Sequence, residues 1–140
     1  MVSQHGLQEL IALARAAAAR AYCPYSHFPV GCAVMTESGE SFAGCNVENA
    51  SYGLSICAER NAVFQAVASG HKRVTAVVVY TPTSHATTPC GACRQVINEF
   101  GPEALVLSVC DSEERIEERL DALLPMAFGP HNLSASAALS

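Results

Sequence analysis

The stretch Val74 to Thr81 reads Val-Thr-Ala-Val-Val-Val-Tyr-Thr. A continuous apolar run of this length has no polar face to turn toward water, which is the pattern of a strand covered on both sides. Such a strand needs a layer of helices above and below its sheet, and the flanking sequence supplies them. Upstream, about Cys57 to Ser69 reads as a helix closed by Gly70. Downstream, Pro89 precedes a helix from about Gly91 to Phe100 that Gly101-Pro102 stops, and Leu105 to Cys110 reads as the next strand. Strand and helix in alternation make this an α/β chain with helices on both faces of one sheet.

The N-terminal half fits the same plan. Ser3 can cap a helix running to about Ala21, with Leu7, Leu10, Ile11 and Ala14 at helical spacing. Cys23-Pro24-Tyr25-Ser26 breaks it, and Phe28 to Glu37 and Glu40 to Val47 read as two strands joined through Ser38-Gly39. A loop rich in Asn, Ser and Gly follows, Glu48 to Ser55. Asp111 to Leu124 supports two readings: Ile116, Leu120, Leu123 and Leu124 keep helical period, while Arg115-Ile116-Glu117 fits a short edge strand. With 140 residues, half of them apolar, the chain can bury one core, expected over residues 1–130. The small, polar tail 131–140 is expected to fray or to lie along a partner subunit.

Charge and hydropathy exclude several classes of function. The formal net charge is −5 with only eight Lys and Arg, so no basic stripe exists to neutralise a nucleic-acid backbone. The longest near-apolar run, Leu7 to Ala19, is broken by Gln8, Glu9 and Arg15, too short and too polar to span a membrane. The first ten residues lack the basic start and apolar core of a signal peptide. A cytoplasmic location is the resulting expectation.

Seven cysteines in a chain that needs no disulfides direct attention to thiol chemistry. Pro89-Cys90-Gly91-Ala92-Cys93 places two thiols three residues apart at a helix start, and Cys57 opens another helix. Helix N-termini favour thiolates, so two such ends can meet over one zinc ion. Three protein ligands with one open position is the arrangement of catalytic zinc, whereas a structural site is closed by a fourth ligand, for which His85 or a further cysteine stands available. Glu59, two residues after Cys57, is placed to move protons without ligating. Three thiolates leave a divalent ion at −1, and Arg60 and Arg94 are the cations at hand to offset this. The other thiols, Cys23, Cys32, Cys45 and Cys110, read as small packing residues, the histidines as surface groups, and Glu113, Glu114, Glu117 and Glu118 as a solvated face.

Cys57-Ala58-Glu59 followed by Pro89-Cys90-Gly91-Ala92-Cys93 resembles the zinc nucleobase deaminase signature, with Cys in place of the first His. More narrowly, Tyr25-Ser26-His27-Phe28-Pro29-Val30-Gly31, Asn46-Val47-Glu48-Asn49-Ala50-Ser51-Tyr52-Gly53 and Leu124-Pro125-Met126-Ala127-Phe128-Gly129-Pro130 are similar to the small homotetrameric cytidine deaminases. That resemblance implies a three-layer α/β/α fold around a mixed five-stranded sheet, with Zn2+ held by Cys57, Cys90 and Cys93. It implies that Glu59 carries a proton from the attacking water to ring N3 and then to the leaving ammonia. Asn46 and Glu48 would hold the ribose, Phe28 would pack on the pyrimidine, and Ala58 and Tyr52 would line the substrate site. Arg60 would donate to a ligating sulfur, and Phe128 would reach a neighbouring subunit's site in a homotetramer. The implied reaction is hydrolysis of cytidine and 2′-deoxycytidine to the uridines and ammonia, a salvage step. A deaminase of a blasticidin-type aminopyrimidine nucleoside and a zinc-stabilised interaction module are the alternatives. Cys32 and Cys45 depart from the family pattern, as does the segment Asp111 to Asp121.

Overall fold

The computed structural model of the chain describes residues 2–134. Nine regular elements follow one another: α1 (Gln4–Ala18), β1 (Gly31–Thr36), β2 (Ser41–Cys45), α2 (Ala58–Ala68), β3 (Val74–Tyr80), α3 (Gly91–Phe100), β4 (Leu105–Val109), β5 (Arg115–Arg119) and α4 (Leu120–Leu123), with short 3-10 turns at Tyr52–Leu54 and Pro130–Leu133. The strands form one mixed sheet in the order β2-β1-β3-β4-β5. Only β3 and β4 run parallel, joined through α3; the other neighbours are antiparallel.

The run that opens the sequence reading is the central strand, and its side chains alternate between two cores. Val77 and Val79 face the cluster built with Ala58, Ala62, Val63 and Ala66 of α2 and Ile97 of α3. Ala76, Val78 and Tyr80 face Leu7, Leu10, Ile11 and Ala14 of α1. The period of two along β3 thus assigns α1 to one layer and α2 and α3 to the other. Two glycines permit the close approach of those layers. A Cβ on Gly31 would lie 1.8 Å from the Ala14 carbonyl oxygen of α1, and one on Gly44 would lie 2.5 Å from the Ala62 nitrogen of α2.

Several boundaries differ from the sequence reading, each for a local reason. The first helix, capped by the Ser3 hydroxyl at Gly6 N (3.0 Å), ends at Ala18 rather than Ala21. Tyr22 is drawn off to bridge Val47, donating to Asn46 O and accepting from Glu48 N. The first two strands are shorter than expected, because Phe28 to Val30 are held by the Asn46 side chain instead of a sheet ladder. The segment with two readings uses both: Arg115–Arg119 is the charged edge strand, and Leu120 to Leu123 is a single helical turn. Residues 131–133 of the expected tail belong to the 3-10 turn that Pro130 begins, and 135–140 lie outside the described residues. No helix among the described residues is long and apolar enough to cross a membrane.

Candidate active site

Cys57 and Cys90 occupy the N-cap positions of α2 and α3, and neither side chain makes a capping hydrogen bond. The two thiols instead approach each other to 3.9 Å. Cys93, fully buried one turn into α3, completes the group, with all three sulfurs within 4.8 Å of one another. Tetrahedral zinc with Zn–S bonds of ~2.3 Å sets its sulfurs ~3.8 Å apart, so the pair spacing already matches that ion. Soft thiolate donors select zinc over the hard oxygen-seeking cations. Among the described residues no further His, Cys, Asp or Glu joins the cluster. His85, the candidate for a closing ligand, has its Nδ1 3.0 Å from Glu114 Oε2 on another loop.

Electrostatics follow from this geometry. Cys57 is the thiolate of the metal-free cluster: the Cys93 thiol, and after it the Arg60 guanidinium, hold it down to about 5, while Cys93, the donor, is held well above the usual thiol range. Arg60 donates from its terminal nitrogen to Cys57 Sγ at 3.4 Å. Arg94 does not share that task. Its guanidinium turns away from the sulfurs to Pro89 O (2.7 Å), Leu123 O (2.8 Å) and Thr88 Oγ1 (3.0 Å). Of the two arginines expected to offset the thiolate charge, Arg60 alone directs a hydrogen bond to a sulfur. The direction of a long side chain is settled by which acceptors its helix passes, and spacing does not reveal that.

Glu59 lies in the first turn of α2 and is 5% exposed. Burial above all, with the Cys57 thiolate adding to it, pushes its carboxyl up to about 7. Beneath it Cys32 of β1 is buried, its thiol pushed well up by desolvation and by Glu59. The Cys32 departure from the family pattern thus sits in the floor under the acid, a placement that only the packing of α2 on the sheet reveals.

The remaining candidates gather at the same end of the sheet. Two isolated bridges, Tyr22 to Val47 and Val47 to Ile56, bring the loops at 22–30 and 46–48 alongside the residue that precedes Cys57. Asn46 uses both ends of its amide on the Phe28 loop, accepting from Val30 N (2.8 Å) and donating to Phe28 O (2.9 Å). Glu48 Oε1 accepts from Tyr25 N (3.0 Å) and Ser26 N (3.1 Å). The Ser26 hydroxyl, then these amides, hold its carboxyl below the usual range, so it is ionised and keeps acceptor capacity for a ligand. Between these two clamps His27 adopts φ 54°, a left-handed conformation that non-glycine residues enter only when the surroundings demand it. Glu48, Tyr25, Ser26, Tyr52 and Ser55 line a cavity of about 230 Å³. Ala58, fully buried, lies in the core between Cys57 and Glu59.

The outermost aromatics are less enclosed. Tyr52 is 74% exposed and leans on Tyr25 with ring centroids 5.8 Å apart. Phe128 is 58% exposed, its carbonyl held by Gln95 Nε2 at 2.7 Å. Sequence reasoning passed over Gln95, Ser26 and the clamp made by Arg94, whose bonds run mostly to backbone groups.

On an α/β/α frame, three thiols thus stand within reach of one metal ion with a buried carboxyl beside them, a set of groups suited to metal-assisted hydrolysis. Residues 4–109 match the family model described as the cytidine and deoxycytidylate deaminase zinc-binding region. A cytidine deaminase of Sporosarcina psychrophila is 43% identical over 132 residues, covering 94% of this chain and 97% of that protein. One from Mycobacterium tuberculosis is 44% identical, covering 84% of this chain and 85% of the other. The crystal structure of cytidine deaminase from Burkholderia pseudomallei superposes with a TM-score of 0.83 at 45% identity, covering 91% of this chain and all of that one. The chain belongs to the cytidine and deoxycytidylate deaminase family.

Proposed function

We propose that the protein hydrolyses the 4-amino group of cytidine and 2′-deoxycytidine, giving the uridines and ammonia. The observation that carries this reading is the buried Glu59 carboxyl beside a three-thiol zinc site with no fourth protein ligand among the described residues. Bound zinc supplies Lewis-acid polarisation that makes water nucleophilic at neutral pH. The protein's residues do the rest. Glu59 accepts the proton released as water adds to C4 and delivers it to ring N3. It then carries the second proton to the departing amine, so one water is consumed and one ammonia released. Burial excludes competing water from the carboxyl, and its helix holds it in position. Arg60 draws charge from Cys57, which leaves the three-sulfur site better able to ionise water.

The sugar is read by Glu48 and Asn46, and the base is covered by Phe28, whose loop those two side chains hold. An ionised Glu48 disfavours a phosphate at the sugar, so a nucleoside fits better than a nucleotide. Ala58 and Tyr52 line the site. Phe128 serves a neighbouring copy in a homotetramer, a role supported by the exposure of Tyr52, Leu54, Met126 and Phe128, which are among the most exposed of the chain's large apolar groups. The biological setting that fits is cytoplasmic pyrimidine salvage, with residues 1–130 acting as one domain.

The test is ammonia release and zinc content with cytidine, deoxycytidine, cytosine, cytidine monophosphate and blasticidin S as substrates. The expected result is one zinc per chain and rapid release from the two nucleosides only. Preferred turnover of blasticidin or of the phosphate ester would replace the substrate; zinc without turnover of any would leave only a metal-stabilised module.

A further inference from the structure

Of the three thiols, Cys90 has the weakest support from packing. Cys93 is fully buried and Cys57 is half-buried against Arg60, whereas Cys90 is exposed and follows the irregular segment 81–89. Its chain neighbour is nevertheless caught from behind. Arg94 Nε donates to Pro89 O at 2.7 Å, and one terminal nitrogen donates to Thr88 Oγ1 at 3.0 Å. The other reaches Leu123 O at 2.8 Å, a carbonyl in the last turn of α4, just before the segment that carries Phe128. Among the described residues no carboxylate shares these bonds. A half-buried guanidinium that is directed to two carbonyls and a hydroxyl acts by geometry, through the rigid fork that a lysine lacks.

We propose that Arg94 is a positioning residue for the metal: by clamping the carbonyl of the Pro89–Cys90 peptide and the Thr88 hydroxyl it holds Cys90 in ligating register, and it ties that register to α4. This rests on the zinc reading of the three thiols. The clamp acts on the backbone beside the ligand, as residues behind metal ligands do elsewhere, where their loss typically changes metal affinity ~10–100-fold.

The experiment measures zinc release from the holoenzyme to a chromophoric chelator, for wild type, Arg94→Ala, Arg94→Lys and the surface control Arg119→Ala. Unfolding of the metal-free forms is followed alongside. The expected result is release at least ~10-fold faster in Arg94→Ala, intermediate in Arg94→Lys and unchanged in Arg119→Ala. Cobalt-substituted Arg94→Ala should also show altered thiolate-to-metal absorption. Release at the wild-type rate from a folded Arg94→Ala, or faster release fully matched by the loss of metal-free stability, overturns the proposal. If Arg94→Ala does not fold, Arg94→Lys decides it by the same criterion. A wild-type chain that takes up no zinc would sink the metal reading itself, which is a separate outcome.

Discussion

Glu59 and Cys93 are sealed in the floor of the candidate site, while the rim aromatics Tyr52 and Phe128, the latter proposed for a neighbouring copy's site, stand largely in water. The floor is assembled from helix starts whose positions are dictated by two packed cores, so its parts are placed by the same contacts that fold the chain. The rim is assembled from loops held by side-chain-to-backbone clamps, Asn46 and Glu48 on one side and Gln95 on the other. Proton transfer and metal binding demand sub-ångström placement and low water content, which a core provides. Substrate entry and product release demand a wall that can yield, and clamped loops provide that.

The contrast is sharpest for proton transfer. Glu59→Gln should keep its zinc and lose ~10²–10⁴ in ammonia release or more, since general acid–base catalysis contributes on that order; wild-type turnover in that variant would place the proton carrier elsewhere. A second measurement exposes what sealing this acid costs the fold. In the metal-free protein Glu59 is held up at about 7 against an ordinary value of 4.5. A carboxyl with a raised value favours the folded state less as pH climbs, so its unfavourable contribution develops between pH 4.5 and about 7 and persists above. Denaturant unfolding of metal-free Glu59→Gln should therefore show a gain over wild type of up to about 3 kcal/mol at pH 8 and little below pH 4.5. An identical gain at both pH values would show that the carboxyl is not the buried group described.

Rim substitutions should act on substrate affinity and leave zinc untouched. Asn46→Ala should raise KM by about tenfold, on the scale of a lost hydrogen-bonded clamp. The rise should persist with 3′-deoxycytidine, because part of the Asn46 contribution runs through the Phe28 loop. A penalty that vanishes with the 3′-deoxy substrate would make the residue a sugar contact only. The smallest effect is expected for Phe128→Ala, a several-fold rise in KM on the scale of one lost aromatic contact. Co-assembly of Glu59→Gln with Phe128→Ala chains should recover some unimpaired sites if subunits share them, and none if each site is built from a single chain.

The comparison also explains which parts of the site can be read without coordinates. Cys57 with Glu59, and Cys90 with Cys93, are recognisable because helix starts and ligand spacing are local properties, and the resemblance to the deaminase signature joins the two pairs. The bonds of Arg94 are not legible in the same way, because its three acceptors lie on two separate segments, one of them 29 residues away. The ends of α1 and β1 were misplaced for the same reason. The backbone of Tyr22 and of Phe28 to Val30 is engaged by the distant segment 46–48, and propensity cannot register a partner brought by folding.

The amino-acid order alone determined the α/β alternation, the doubly covered central strand and the two halves of the thiol site, Cys57 with Glu59 and Cys90 with Cys93, since each rests on periodicity or spacing within a few turns of chain. Tertiary structure alone decided which arginine serves the sulfurs and that Cys32 lies beneath Glu59. It also set which glycines admit helix backbone at Gly31 and Gly44. These depend on distances between segments remote in sequence, and such distances come into being only when α1 and α2 close on opposite faces of the sheet.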